Sequence, residues 1–272
     1  MKLAGVALAI GCTAPNPAYH REVTDTLIPP ADAAGDAAGP AEVAQLQSGL
    51  LGYWALDDGA GSTAHDGSGQ GRDGQVEGLT EGVAFVAGRV GGALSFPGGS
   101  SASIGVRIPY STEIDELRAF TIAAWFRLAS VPGFGMQRSV ISRQLGRTTG
   151  EVFNLTCNNG DVVVYIPGSG GQINFEARAK GAAVLGAWTH GAATYDGRTL
   201  RLYVNGREAA ASSFADRLVS SVGTPVYIGT NKNTTNSEPF HGLIDEVALY
   251  SYALSPAAVA QLAADASPRD VR

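Results

Sequence analysis

The chain has 272 residues, 44% of them hydrophobic, with 36 glycines and a formal net charge of −6. This composition is sufficient for one buried core, and the glycine content favours many tight turns over long helices. Only 19 lysine and arginine residues are present, whereas nucleic-acid affinity depends largely on basic side chains that neutralise phosphates. We therefore expect no nucleic-acid partner and predict one all-β domain with an unstructured end.

The first 12 residues carry one lysine, a short apolar run and small residues ahead of Cys12. This pattern resembles a bacterial lipoprotein signal peptide, in which Cys12 is the acylated residue. No other segment has the roughly 20 apolar residues that a membrane-spanning helix needs, so membrane attachment is expected only through lipid. We predict an exported protein, either secreted or held as an outer-membrane or cell-surface lipoprotein.

Residues 13–48 are rich in Ala, Pro, Gly, Asp and Thr and contain almost no aromatic side chains. Such a composition buries too little apolar surface to offset the entropy of ordering, which predicts a disordered tether. We place the folded domain at residues 49–266 and a short tail at residues 267–272.

Short apolar segments separated by turn residues predict β-strands along the folded domain. The pairs Asn159-Gly160, Asp196-Gly197 and Asn205-Gly206 tolerate the positive φ that tight hairpin turns require, so the strands form an antiparallel meander. Ser255-Pro256 starts one short C-terminal helix that ends near residue 264. The clearest strands are predicted at Leu51–Leu56, Ala93–Phe96, Phe120–Leu128, Ser139–Arg143, Glu151–Thr156, Asp161–Ile166, Gln172–Ala177, Trp188–Tyr195, Thr199–Val204, Pro225–Gly229 and Leu243–Tyr250.

Six sequence blocks in a fixed order carry a family resemblance from Gly52 to about Leu262. The longest block reads WTHGAATYDGRTLRLYVNG and ends at Gly206. The others are Gly52–Asp57, Asp66–Gly74, Gly88–Gly98, Phe120–Trp125 and, after Ile228-Gly229, Phe240–Tyr250. In this order they resemble laminin G-like domains, which have the concanavalin A-like lectin/glucanase fold. The resemblance implies an all-β jelly roll, an antiparallel sandwich of two sheets, that binds glycans, proteins or cations at cell surfaces.

Asp245 is the starting point of a calcium hypothesis. Period-two spacing places it on the same strand face as Leu243, Val247 and Leu249, and a buried carboxylate needs a cation or several hydrogen-bond donors. In related domains an Asp in the equivalent Gly-x-Ile-Asp stretch ligates calcium. The resemblance therefore implies a structural calcium held by Asp245, Asp57 and Asp66. The alternative is that Asp245 accepts hydrogen bonds from turn amides without a metal.

Catalytic residues are not indicated by the sequence. Enzymes that share this general sandwich cleave β-glucans with a Glu-x-Asp-x-x-Glu strand. The segment Glu113-Ile-Asp115-Glu116-Leu-Arg118 has an arginine where the second glutamate should stand. No serine lies in a Gly-x-Ser-x-Gly elbow, so a catalytic triad is not indicated either. We expect no enzymatic activity, with a polysaccharide lyase or glycoside hydrolase as the alternative.

Ligand-binding residues are expected among aromatic and polar side chains outside the framework. Trp54, Trp125 and Trp188 fall on positions that the family buries, so other side chains must contact a ligand. The candidates are Tyr110, Phe134 and Tyr165 for stacking, with Arg143 and Asn231 as hydrogen-bonding partners.

The sequence as a whole predicts a non-catalytic, exported binding or adhesion module. Its expected partner is a glycan or an extracellular or cell-surface protein. A structural lipoprotein that interacts with proteins and has no small ligand is the alternative.

Overall fold

The computed structural model describes residue 44 and residues 46–99, 104–132, 136–144, 151–168, 174–213, 223–232 and 238–264. Cys12, most of the predicted tether, Phe134 and the predicted tail lie outside the described residues. Within the described ranges, no helix is both long and apolar enough to cross a membrane.

The first sheet contains eight antiparallel strands. Its main path runs through β14 (Arg207–Ser213), β13 (Thr199–Val204), β12 (Trp188–Tyr195), β7 (Phe120–Leu128), β16 (His241–Tyr250), β5 (Gly92–Pro97) and β4 (Ala84–Ala87). The eighth strand, β1 (Leu50–Trp54), also pairs with β16. The first and last strands of the domain are therefore neighbours in the same sheet.

The second sheet also contains eight antiparallel strands. Its order is β11 (Asn174–Ala179), β10 (Asp161–Pro167), β9 (Glu151–Asn158), β8 (Gln137–Gln144), β15 (Val226–Ile228), β6 (Gly105–Ile108), β3 (Gly74–Glu77) and β2 (Thr63–Ala64). Two short helices, α1 (Thr112–Asp115) and α2 (Pro256–Ala263), and a 3₁₀ turn at Leu79–Glu81 complete the described elements. The predicted antiparallel two-sheet sandwich with a short C-terminal helix is confirmed.

The hydrophobic core lies between the two sheets. Phe120 of the first sheet and Phe153 of the second are fully buried, with ring centroids 5.5 Å apart. Phe126 packs edge-on against Phe240, at a centroid distance of 6.2 Å. Burial of each large apolar side chain stabilises the fold by about 1.5–3 kcal/mol, so these contacts hold the sheets face to face.

The hairpin turns have the backbone conformation that the sequence predicts. Asn159 and Gly160 have φ values of 50° and 86°, and Asn205 and Gly206 have values of 49° and 77°. Positive φ at both central residues is the requirement of a tight type I′ turn, which matches the right-handed twist of the flanking strands.

A β-bulge in β16 corrects the predicted orientation of Asp245. The pairing with β7 shifts between Asp245 and Ala248, and Glu246 adopts a φ of 53°. Val247 therefore returns to the core, whereas Asp245 lies opposite Trp125 on the outer face of the first sheet. A bulge inserts one extra residue into a strand, and counting by twos across it assigns the wrong face.

Candidate functional site

The outer faces of the two sheets differ in polarity. On the first sheet, α2 packs on an apolar surface that includes Ala192, Tyr203 and Tyr250. On the second sheet, one register row crosses seven neighbouring strands and carries only polar or tyrosine side chains. This polar row consists of Glu176, Tyr165, Asn154, Ser142, Tyr227, Arg107 and Gln75.

The centre of the polar row lies beneath the chain that follows β15. Ser142 donates a hydrogen bond of 2.8 Å to the carbonyl of Thr230, and the backbone amide of Ser139 donates one of 3.2 Å to the carbonyl of Glu238. Asn154 and Ser142 are fully buried as a result. Glu176, Arg107 and Gln75, towards the two ends of the row, are exposed. The row is thus accessible mainly at its ends.

A cluster of carboxylates and amides lies at the covered centre; we call Glu151, Glu238, Asn154, Asn231 and Gln144 the carboxylate–amide cluster. The Nδ2 atom of Asn231 donates to Oε1 of Glu151 at 2.7 Å and to Oε2 of Glu238 at 3.2 Å. Nδ2 of Asn154 donates to the same Glu151 oxygen at 3.2 Å, and Gln144 donates to Oδ1 of Asn231. Two carboxylates are therefore held against one amide nitrogen.

Both carboxyl groups of this cluster have raised pKa values. Burial and, to a lesser extent, the neighbouring charge of Glu238 together raise the pKa of Glu151 to about 7, against the opposing effect of the hydrogen bonds from Asn154 and Asn231. Burial likewise raises the pKa of Glu238. In the described part of the chain, neither residue takes part in an ion pair. Desolvation and like charge are the two physical effects that oppose ionisation here.

The two tyrosines of the polar row are each held by basic side chains. The hydroxyl of Tyr165 accepts hydrogen bonds from Arg178 at 3.0 Å and from Asn158 at 3.4 Å. Tyr227 lies under Lys232, whose Nζ is 5.1 Å from the ring centroid. Both tyrosines are half-buried, so each presents part of a fixed aromatic surface.

The residues predicted to bind a ligand do not form one site in the structure. Tyr165 belongs to the polar row and Asn231 to the carboxylate–amide cluster beside it. Tyr110 is half-buried after β6 and does not belong to the row. Arg143 is fully buried and bonded to Asp115, so it presents no surface to a ligand. Sequence reasoning missed Tyr227 and the two glutamates.

Trp188 departs from the expected burial. Trp54 is fully buried and Trp125 is 6% exposed, as the family pattern implies, but Trp188 is only half-buried. The guanidinium of Arg127 lies 5.5 Å from the Trp188 ring centroid, in the position of a cation–π contact. Arg127 is the register partner of Trp188, so the pair lies on the outer face of the first sheet.

Asp57 and Asp245 both bind the turn that connects β4 and β5. Oδ2 of Asp245 accepts the amides of Arg89 and Val90 at 2.7 and 3.0 Å, and Oδ1 of Asp57 accepts the amide of Gly92. Oδ1 of Asp245 is buried without a hydrogen-bond partner. Burial raises the pKa of Asp245 to about 6, and the nearby charge of Asp57 also raises it.

Asp66 belongs to a different loop. Its Oδ1 accepts the amides of Tyr53 and Ser68, at 3.0 and 2.9 Å, and its Oδ2 accepts the amide of Arg72 at 2.9 Å. Burial opposes ionisation, but the hydrogen bonds outweigh it and hold the pKa of Asp66 below its usual value. No group of three or more His, Cys, Asp or Glu side chains suited to a metal occurs among the described residues. Asp66 therefore organises its own loop.

Substitution of Gly88 by Ala tests the fit of the β4–β5 turn. A Cβ at this position would lie 2.0 Å from the carbonyl oxygen of Gly92 and 2.6 Å from Oδ2 of Asp245. Because the turn cannot keep both contacts, we expect a loss of about 2 kcal/mol in the free energy of unfolding, measured in urea. Gly181→Ala is the control, since nothing lies within 4 Å of its added Cβ. It carries only the cost of its positive φ, about 1 kcal/mol. Equal losses for both variants would contradict the steric argument.

The chain resembles known proteins in both sequence and fold. Residues 99–260, more than half of the chain, match the sequence profile of the concanavalin A-like lectin/glucanases superfamily. The comparison with curated protein sequences found no match.

Solved structures share the fold at low sequence identity. Domain 4 of AbnA, a GH43 extracellular arabinanase from Geobacillus stearothermophilus in complex with arabinotriose, is 20% identical with a TM-score of 0.60; the match covers 79% of this chain and 98% of that one. The binding domain of botulinum neurotoxin DC in complex with SialylT is 13% identical with a TM-score of 0.61, over 81% of this chain and 52% of that one. A Trypanosoma rangeli sialidase is 19% identical with a TM-score of 0.57, over 79% of this chain and 32% of that one.

The chain thus spans about half of the neurotoxin domain and a third of the sialidase, but nearly all of the arabinanase domain. These likenesses agree with the two-sheet sandwich described above. With the profile match across most of the folded region, the chain belongs to the concanavalin A-like lectin/glucanase superfamily.

Proposed function

We propose that this protein is a non-catalytic glycan-binding module whose ligand site lies on the outer face of the second sheet. The observation that carries the proposal is the polar row, because on the first sheet α2 covers an apolar part of the outer face. The half-buried Tyr165 and Tyr227 offer aromatic surface, and Arg178, Glu176 and Arg107 offer hydrogen bonds. Aromatic surface combined with a few placed polar groups is the usual composition of a small-molecule site.

The structural neighbours support this proposal. Among them, an arabinanase domain was solved with arabinotriose and neurotoxin binding domains with SialylT or N-acetylneuraminic acid. The binding domain of botulinum neurotoxin DC was also solved with rat synaptotagmin II. A protein partner on the same face is therefore the alternative for this chain.

A glycan array tests the proposal. We expect the wild-type protein to bind a subset of immobilised glycans, and Tyr165→Ala and Tyr227→Ala to weaken that binding about tenfold each, equivalent to about 1.4 kcal/mol. Tyr110→Ala is the matched control, because Tyr110 is half-buried but lies off the polar row. Absence of any glycan binding, or equal losses for all three variants, would overturn the proposed site.

The absence of catalysis is part of the proposal. Although Glu151 and Glu238 resemble an acid–base pair in their raised pKa values, the Asn231 amide nitrogen bonds both carboxylates and Glu151 is only 5% exposed. A glycosidic bond must lie between the two carboxylates of a glycosidase. We expect no release of reducing ends from the glycans that bind. Release that disappears in Glu151→Gln would identify a hydrolase instead.

We also propose that Asp245 and Asp57 hold a calcium ion that stabilises the β4–β5 turn. The unpartnered, buried Oδ1 of Asp245 and the adjacent charge of Asp57 fit a hard cation. A ligand that binds only the native state raises the melting temperature. We expect chelator to lower that temperature and Asp245→Asn to reduce the effect; an unchanged melting temperature would leave Asp245 as an acceptor of turn amides alone.

Export and lipid attachment through Cys12 complete the proposal. The supporting observation is the signal-like sequence of residues 1–12. We expect the protein expressed in a bacterial host to partition into the membrane fraction with a lipid-modified cysteine detectable by mass spectrometry, and Cys12→Ala to remain in the soluble fraction. Identical fractionation of the two proteins would remove the anchor from the proposal.

A further inference from the structure

The carboxylate–amide cluster poses an electrostatic problem. Glu151 and Glu238 are both largely removed from water and share the amide nitrogen of Asn231. Their described hydrogen-bond donors are all neutral groups, from Asn154, Asn231 and Ser139. Buried carboxylates in proteins are normally paired with a positive group or bound to a metal. Two carboxyl groups are therefore brought together without a positively charged partner.

Basic side chains near the cluster are engaged elsewhere. Lys232 follows Asn231 but bonds Glu77 and lies over Tyr227. Arg138 is half-buried and donates to the carbonyl of Pro239 at 3.3 Å; it does not pair with Glu238. Within the described residues, neither cation neutralises the two glutamates.

Asn154 adds an independent observation. Its side chain is fully buried and its Nδ2 points at Oε1 of Glu151, at 3.2 Å, yet its Oδ1 has no hydrogen-bond partner. A buried amide oxygen without a partner costs about 1–3 kcal/mol. Rotation of the amide by half a turn exchanges the two atoms and turns Oδ1 towards the carboxylates. That orientation is favourable when a cation, or the hydroxyl of a protonated carboxyl group, faces the amide oxygen.

We propose that Glu151, Glu238 and Asn154 form a binding site for a hard divalent cation, calcium, beneath the chain that follows β15. One cation neutralises the two carboxylates and gives the Asn154 oxygen a partner. Calcium accepts six to eight oxygen ligands, including carboxylates and the side-chain carbonyls of Asn and Gln, and tolerates irregular geometry. The site lies on the second sheet, whereas Asp57 and Asp245 lie on the first, and it does not depend on the glycan proposal.

A proton shared by the two glutamates is the competing occupant. It removes the repulsion between the carboxylates, and the hydroxyl of the protonated glutamate can also donate to the rotated Asn154 amide, so the geometry of Asn154 fits both occupants. A chelator distinguishes the two occupants, because it removes bound calcium but does not remove a proton at fixed pH. The test therefore compares melting temperatures with calcium and with chelator at one fixed pH.

The decisive variant is the isosteric double substitution Glu151→Gln and Glu238→Gln. In the wild type, calcium at about 100 times its Kd should raise the melting temperature by about 5–10 °C. We expect the double variant to lose the part of this rise that comes from the cluster, and Asp245→Asn to lose only the part that comes from the β4–β5 turn. Titration calorimetry should show one fewer calcium ion bound by the double variant than by the wild type.

A second variant tests the role of Asn154 directly. Asn154→Asp adds a third carboxylate of the same shape, so we expect a lower melting temperature in chelator and a larger rise with calcium than in the wild type. The proposal is overturned if the double variant keeps the full calcium-dependent rise, if Asn154→Asp leaves that rise unchanged, or if the wild type shows no calcium dependence. The last result would assign the cluster to a shared proton.

Discussion

Substitution of Asp115 by Ala is expected to destabilise the domain by about 3–5 kcal/mol, which is a large part of the stability of a typical domain. Asp115 accepts a 2.7 Å hydrogen bond from Nη2 of Arg143, and the Arg143 side chain is 1% exposed. Nη1 of Arg143 donates to the carbonyl of Ile114 at 3.1 Å. Removal of the carboxylate leaves a buried guanidinium without its counter-charge, which costs more than the pair itself contributes.

Urea unfolding of Asp115→Ala, compared with the wild type, measures this loss. Glu208→Ala is the control, because the Glu208–Arg201 pair is 3.5 Å apart and both side chains are more than a third exposed. Exposed pairs contribute about 0–1 kcal/mol. Similar losses for the two variants would show that Asp115 does not compensate a buried charge.

The same pair shows where sequence reasoning about the site failed. Asp115 lies in the segment that we compared with a hydrolase motif, and Arg143 was a predicted ligand contact. Both interpretations treated the residues separately, although the two side chains meet only because α1 lies at the end of β8. A charged residue on a strand is equally compatible with a buried ion pair and an exposed contact until its partner is known.

The carboxylate–amide cluster was beyond sequence analysis for the same reason. Asn231 and Glu151 are separated by 80 positions in sequence, and neither lies in a spaced motif. Their contact depends on the pairing of β8 with β9 and on the return of the chain after β15. Tyr165 was identified as an aromatic residue outside the framework tryptophans, whereas Tyr227 was missed although its three-residue strand was predicted.

The fold was more predictable because its signals are local. Alternating apolar residues and the Asn-Gly turns placed most of the long strands and hairpins. β14 was missed because Arg-Glu-Ala-Ala-Ala-Ser-Ser contains no β-branched or aromatic side chain, and its strand conformation comes from pairing with β13. The bulge at Glu246 was also invisible, since a positive φ at a glutamate has no sequence signal.

His190 should control much of the acid sensitivity of the domain. Its side chain is 2% exposed, its ring lies 5.3 Å from the Trp125 ring, and its Nδ1 has no hydrogen-bond partner. Burial lowers the pKa of His190 to about 3. An unfolded histidine binds its proton near pH 6.5. Between these values the unfolded state binds a proton that the folded state does not, so stability falls as the pH falls below about 6.5.

The expected loss attributable to His190 is about 1.4 kcal/mol per pH unit, or about 3 kcal/mol at pH 4 relative to pH 7. We expect His190→Gln to reduce the difference between the unfolding free energies at pH 7 and pH 4 by that amount, as measured in urea. His65→Gln is the control: His65 is exposed, and its hydrogen bond with Asp58 raises its pKa. Stability from a raised histidine pKa is present at low pH, so loss of His65 cannot reduce acid destabilisation. An unchanged pH dependence in His190→Gln would mean that His190 can accept a proton while the domain stays folded.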